Sequence, residues 1–196
     1  MVWNSLSGGI MQYLEVKRKV EKKLLQKPAE ACPFSPNTLT FFSVLLGFVS
    51  GYFILEGMLV YSALFFLTAV LLDALDGQVA RAKRISSKFG SFFDKVADRI
   101  VDMTLLSSII LSGLVPLPAG LFTLCVIVLA SYSSAVAEAE SRKKHLGEGM
   151  SLRPLRSAIL FLGLLSGQLE PAVFLLLITG LYSLEKRLLV SFQLLS

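Results

Sequence analysis

Six apolar stretches separated by short polar breaks decide what this chain can fold into. They run Leu39–Gly57, Leu59–Ala80, Phe89–Val115, Pro118–Ala139, Leu155–Gly167 and Pro171–Leu184. A helix crossing the hydrocarbon core of a bilayer needs about 20 mostly apolar residues. The fifth stretch is short, and Arg153 and Arg156 at its start are expected to lengthen it by snorkelling toward the headgroups. With 54% hydrophobic and 17% charged residues among 196, a small soluble domain has nowhere to hide this apolar surface, and disorder is excluded. The breaks carry helix-ending residues: Glu56-Gly57, Pro116 with Pro118, Gly147-Glu148-Gly149, and Gly167 through Pro171. The expected fold class is all-α, an integral membrane bundle of six transmembrane helices formed by residues 31–196 as one domain.

The basic residues predict an orientation. Of the 19 Lys and Arg, six precede the first stretch, six lie between the second and third or early in the third, five lie between the fourth and fifth, and Lys186 and Arg187 end the sixth. The breaks near residues 57, 116 and 169 hold none. With six spans every basic residue falls on one side, which the positive-inside rule makes cytoplasmic. Both termini are then cytoplasmic, and the expected location is the cell membrane. Residues 1–30 carry Trp3, Leu6, Ile10, Tyr13 and Leu14 at helical spacing before a Lys/Arg run. That pattern predicts an amphipathic juxtamembrane helix, with no secretory leader.

Several chemistries fall away. Cys32 and Cys125 have no metal or disulfide spacing, and His145, in a basic loop, is the only histidine. A Ser-His-Asp triad inside the bundle therefore lacks its base. No phosphate-binding glycine loop is present, and no nucleic-acid partner is expected. Gly47 and Gly51 form one G-x-x-x-G, which reads as close helix packing.

The carboxylates point to chemistry. Five of the 14 acidic residues crowd into thirty positions: Asp73, Asp76, Asp94, Asp98 and Asp102. Asp73 and Asp76 are three apart and Asp94 and Asp98 four apart, so each pair shares a helix face. A short basic loop joins the two helices, making them antiparallel neighbours whose pairs converge. Four carboxylates in one place repel unless cations neutralise them, and oxygen ligands without His or Cys suit Mg²⁺ or Mn²⁺. The set fits a two-metal site that clamps a displacement at phosphorus. Gly77 and Ala80 leave room for a ligand, and Arg81 offers a fork for phosphate oxygens. A cation transporter or a set of interhelical ion pairs, Asp73/Asp76 with Arg81/Lys83 and Asp94/Asp98 with Lys95/Arg99, would also use such residues. Charges at membrane depth generally serve a polar site.

The segment Asp73-x2-Asp76-Gly77-x2-Ala80-Arg81-x8-Gly90-x3-Asp94-x3-Asp98 resembles the complete signature of the CDP-alcohol phosphotransferases. The resemblance extends from about Pro36 to Arg187. It implies a phosphoalcohol transferase of phospholipid biosynthesis that is dependent on two Mg²⁺ or Mn²⁺ ions and forms a homodimer. An acceptor hydroxyl attacks the β-phosphorus of a CDP-linked alcohol, usually a CDP-lipid, and CMP leaves. By position, the resemblance makes Asp73, Asp76, Asp94 and Asp98 metal ligands, with Asp98 also the base. It assigns Asn37, Thr38, Leu39, Thr40, Gly77, Ala80, Arg81, Ser87 and Gly90 to the CDP-alcohol.

For the acceptor, Ser131-Tyr132-x-Ser134-x-Val136 and Arg153-Pro154-x-Arg156 are similar to the family branch that uses inositol phosphate, including its archaeal ether-lipid counterpart. Ser131, Arg156 and Arg187 match that branch's phosphate pocket. Two further basic positions of the pocket fall on Ser134 and Val136, and Arg142, Lys143 and Lys144 lie nearby in sequence. Glycerol 3-phosphate suits the same charges; serine or a soluble CDP-inositol pairing are the other acceptor-side readings.

Overall fold

The structure, a computed structural model, describes residues 25–141 and 152–195. The proposed juxtamembrane helix lies outside these residues up to position 24, as do Arg142, Lys143, Lys144 and His145. Among the described residues, a helical stretch over 25–31 is followed by six helices. These are α1 (Pro36–Leu55), α2 (Leu59–Ala82), α3 (Lys88–Leu111), α4 (Leu117–Ser141), α5 (Arg153–Ser166) and α6 (Leu169–Leu195). Each overlaps one apolar stretch. No strand occurs among the described residues, so the fold is all-helical.

Local chemistry explains the helix ends. Ser35 caps α1, its hydroxyl accepting from the Thr38 amide at 3.2 Å, and Pro36 occupies the first turn where its missing N–H costs nothing. At the far end Gly57 adopts φ +73, and Met58 N donates to Phe53 O at 2.8 Å. That is the left-handed helix stop glycine favours. The end of α2 makes the same turn, Ile85 N donating to Ala80 O at 3.1 Å, but with Arg84 at φ 56 in the left-handed position. A side chain there costs about 1–2 kcal/mol, and with arginine in place of glycine the sequence does not mark this stop.

Among the described residues, three helices are long and apolar enough to cross a membrane: α1, α2 and α4 over Leu117–Glu140. The others depart from the six-span expectation for visible reasons. Helix α3 carries Asp94, Lys95, Asp98, Arg99 and Asp102 within its first fifteen residues. Helix α5 has 14 residues, about 21 Å at 1.5 Å per residue. In α6 the apolar run is bounded by Glu170 and Glu185. Arg156 is also not a snorkelling residue, being only 7% exposed. Outward apolar side chains such as Phe48, Tyr52, Leu71, Phe122 and Leu129 give the surface of a membrane protein.

The chain divides into two compact units, Met1–Ser108 and Ile109–Ser196, with the boundary inside α3. In the first, α1 packs on α2. Near the Gly57 turn, the fully buried Ser50 hydroxyl donates to Ser62 O at 2.9 Å and lies 2.9 Å from Ser62 Oγ. At the opposite end Ala29, Leu39 and Val79 form a buried cluster with Cys32, Leu72 and Leu75 against it. Lys83 Nζ donates to the Cys32 carbonyl, tying the chain before α1 to the end of α2.

Gly47 and Gly51 let α3 approach α1. A methyl on Gly47 would stand 2.8 Å from Val101 Cγ2, and one on Gly51 2.8 Å from Ser108 Oγ and 2.9 Å from Thr104 Cγ2. The G-x-x-x-G therefore serves packing within the chain. Because Val101 is β-branched and stiff, Gly47→Ala is expected to destabilise the protein by about 1–3 kcal/mol, read as a lower Tm in detergent. Val101→Ala should relieve the clash, so the double variant is expected to lose less than the two singles together.

In the second unit, α4 and α5 each pack on α6. Gly163 and Gly180 make these contacts close: a methyl would sit 2.5 Å from Ala172 Cβ and 3.0 Å from Val126 Cγ1, respectively.

Candidate active site

The end of α2 and the start of α3, in the first unit, carry the candidate site. Its core is Asp73, Asp76 and Asp94, whose carboxylates offer oxygens within 4.8 Å of one another. Asp73 and Asp76 come from successive positions on one face of α2, Asp94 from the second turn of α3. Asp76 is buried, and Asp73 and Asp94 are partly so. The spacing argument therefore holds for these three. Asp98 stands outside this group, one helical turn, about 6 Å, further along α3. Asp102 is held by Arg99 at 3.1 Å, an i,i+3 pair on α3.

Three hard oxygen donors with no His or Cys among them suit a divalent cation of the Mg²⁺ or Mn²⁺ type. Their mutual repulsion also falls when a cation binds. The residues present fit such an ion.

Around this group the structure distributes the residues assigned to a CDP-linked ligand. Asn37 of α1 meets the start of α3: a methyl on Gly90 would lie 3.1 Å from Ser87 Oγ and 3.2 Å from Asn37 Oδ1. Three assigned residues from two helices thus converge. Ser87 also caps α3, its hydroxyl accepting from Gly90 N at 2.9 Å. That use takes a lone pair and leaves the O–H as a donor. Thr38 shares its hydroxyl with the cap, 2.8 Å from Ser35 Oγ. The Leu39 side chain is buried in the Ala29–Val79 cluster, and its N–H donates to Ser35 O at 3.2 Å.

Arg81, exposed in the last turn of α2, lays its guanidinium back along the helix toward Gly77. A methyl at Gly77 would meet it at 3.4 Å, an ordinary contact. Among the described residues, no packing contact requires glycine there.

Two features were not visible from the sequence. The Thr40 hydroxyl donates to Asp76 Oδ2, a contact between residues 36 positions apart. The Lys83–Cys32 tie similarly joins residues 51 apart. Only the Ser35-Pro36 pair, a helix-start signature, was there to be read.

The residues assigned to the acceptor lie in the second unit. Arg187 of α6 donates from Nη1 to the carbonyl of Ala130 on α4, next in sequence to Ser131. Ser131 Oγ donates to Ile127 O at 3.1 Å, and Ser134 Oγ to Ala130 O at 3.5 Å. Arg156 sits in the first turn of α5, its amide bonded to Leu152 O at 2.9 Å.

Residues 34–184 match the CDP-alcohol phosphatidyltransferase family, and the chain belongs to that family. It is accordingly an enzyme, a transferase of phospholipid biosynthesis that moves a phosphoalcohol group from a CDP-alcohol. The archaetidylinositol phosphate synthase of Pyrococcus horikoshii is 31% identical over 182 residues, 89% of this chain and 95% of that protein. The enzyme of the same name from Methanothermobacter thermautotrophicus is 30% identical over 169 residues, 83% of this chain and 85% of that one. Among solved structures, Mycobacterium tuberculosis phosphatidylinositol phosphate synthase with CDP-DAG bound has a TM-score of 0.72 at 21% identity, covering 87% of this chain and 94% of that chain. Its complex with manganese and citrate has a TM-score of 0.66 at the same identity, covering 89% and 88%. These two likenesses concern the fold.

Proposed function

We propose that this enzyme transfers the phospholipid moiety of a CDP-lipid to the hydroxyl of an inositol phosphate, releasing CMP. The observation that carries the reading is the convergence of Asp73, Asp76 and Asp94, with Asn37 and Gly90, one turn before Thr40 and Asp94 on their helices, meeting at Ser87. The names of the two archaeal relatives favour the acceptor.

Asp73, Asp76 and Asp94, joined by Asp98, would hold two Mg²⁺ or Mn²⁺ ions. Manganese in the M. tuberculosis structure supports this ligand chemistry. Bound there, the ions neutralise the pyrophosphate and stabilise the charge that develops on the departing CMP. Asn37, Thr38, Leu39, Gly77, Ala80, Ser87 and Gly90 would bind the CDP-alcohol and Arg81 its phosphate oxygens, with Thr40, which the resemblance also assigns there, turned to Asp76. Asp98 would act as the base: it takes the acceptor's hydroxyl proton as that oxygen bonds to the β-phosphorus. The bond from that phosphorus to the CMP oxygen breaks, and CMP leaves with the electron pair.

Ser131, Arg156 and Arg187 would recognise the acceptor's phosphate. Arg187 uses one N–H on Ala130 O, and a guanidinium has five donors. Burial of Arg156 supports a role for its charge beyond solvation. All six helices would cross the cytoplasmic membrane, residues 31–196 forming the transferase domain with both termini inside. Residues 1–30 would lie on the surface as the juxtamembrane helix. The uniform placement of the basic residues supports that orientation. The family resemblance supports a homodimer.

An acceptor panel tests the reading: inositol phosphate, inositol, glycerol 3-phosphate and serine, each with a CDP-lipid. Inositol phosphate is expected to support the fastest CMP release. Arg156→Ala and Arg187→Ala should each raise its KM at least tenfold, as lost charge-assisted bonds of about 1.5–3 kcal/mol imply, with KM for the CDP-lipid nearly unchanged. Preference for an uncharged acceptor, with both variants unaffected, would contradict it.

A further inference from the structure

We propose that Thr40 is a positioning residue for the carboxylate of Asp76, holding it from the neighbouring helix in the orientation that receives a metal ion; this rests on the metal reading above. Family resemblance assigns Thr40 to the CDP-alcohol, whereas the geometry gives its hydroxyl to a carboxylate. Thr40 Oγ1 donates to Asp76 Oδ2 from the second turn of α1. The same hydroxyl lies 3.0 Å from the Pro36 carbonyl. One proton is thus offered to a helix carbonyl and to a carboxylate, and the charged acceptor makes the stronger bond.

The surroundings keep the pair in register. Thr40 is 3% exposed and Asp76 5%. Leu39, beside Thr40, and Val79, one turn beyond Asp76, are buried in one cluster that sets the spacing of α1 and α2 at this level. Ser43 Oγ donates to the Thr40 carbonyl at 2.8 Å. Threonine is β-branched, so its χ1 has few alternatives. With Oδ2 occupied by a hydroxyl, the carboxylate of Asp76 loses rotational freedom before any ion arrives. Partners of this kind around metal ligands commonly contribute 10–100-fold to metal affinity.

The test is Mn²⁺ binding to the purified chain in detergent without nucleotide, followed by electron paramagnetic resonance of free Mn²⁺. Thr40→Val keeps the shape and removes the hydroxyl; Thr40→Ser keeps the hydroxyl and removes the methyl. Thr40→Val is expected to weaken Mn²⁺ binding by about 10–100-fold, with its helical circular dichroism unchanged, and Thr40→Ser to recover most of the affinity. Wild-type Mn²⁺ affinity in Thr40→Val, with only CDP binding reduced, would overturn the proposal and return Thr40 to the donor. Equal loss in Thr40→Val and Thr40→Ser would overturn it too, because packing rather than the hydroxyl would then be responsible. A wild-type chain that binds no Mn²⁺ would overturn the metal reading itself, and this proposal with it.

Discussion

Asp76→Asn is expected to reduce CMP release to background. Asp76 is the most buried of the three clustered carboxylates, and it is also the one held by Thr40. An amide there supplies one neutral oxygen in place of a charged carboxylate, so the ligand set loses charge where a pyrophosphate must be neutralised. Asp73→Asn and Asp94→Asn should behave alike, since each provides one corner of the same 4.8 Å group. Chelation of divalent ions should reproduce the effect in the wild type. These losses are expected without unfolding, because Leu39, Val79, Ser50 and Ser62 hold α1 on α2 and an asparagine oxygen at position 76 can still accept from Thr40. The check is turnover together with Tm: activity at background with Tm near that of the wild type.

Asp98→Asn is expected to behave differently. One turn along α3 from the three-carboxylate group, Asp98 would, as the proposed base, take the acceptor's proton as well as complete the ligand shell. Asparagine retains an oxygen but cannot take the proton. Turnover should fall by about 10²–10⁴-fold, the usual range for loss of a general base, while CDP-lipid binding persists. The distinguishing measurement is single-turnover CMP release alongside donor binding. Asp102→Asn serves as the comparison: its carboxylate is already paired with Arg99, so it should cost far less than Asp98→Asn. Wild-type turnover in Asp98→Asn would remove the base assignment.

Much of the helix plan was legible because apolar run length and helix punctuation are local properties. The stretch predicted at Leu59–Ala80 is the helix Leu59–Ala82, and Gly57 and Gly167 stop their helices in the left-handed conformation as glycine does. The convergence of Asp73, Asp76 and Asp94 was legible for the same reason. Spacings of three and four fix a helix face, and a short loop makes the two helices neighbours.

What the chain concealed depends on tertiary placement. The run from Leu155 read as a span lengthened by snorkelling arginines, yet Arg156 is buried; length and composition do not say which way a guanidinium turns. Arg84 stops α2 where a glycine would have announced the turn. The resemblance assigns Ser87 to the CDP-alcohol, but its part as the cap of α3 was not legible, because capping depends on where the helix starts. The Thr40–Asp76 and Lys83–Cys32 contacts are set by how α1 and the segment before it lie on α2, which no spacing rule contains.

The most direct test of a metal-assisted transfer from a CDP-lipid is CMP release by the purified chain, in lipid-detergent micelles, given CDP-lipid and inositol phosphate. The account predicts release that requires both substrates, runs with Mg²⁺ or Mn²⁺, and stops in EDTA until the ion is restored. CMP release at an undiminished rate in EDTA, or none with either ion and both substrates present, would contradict it.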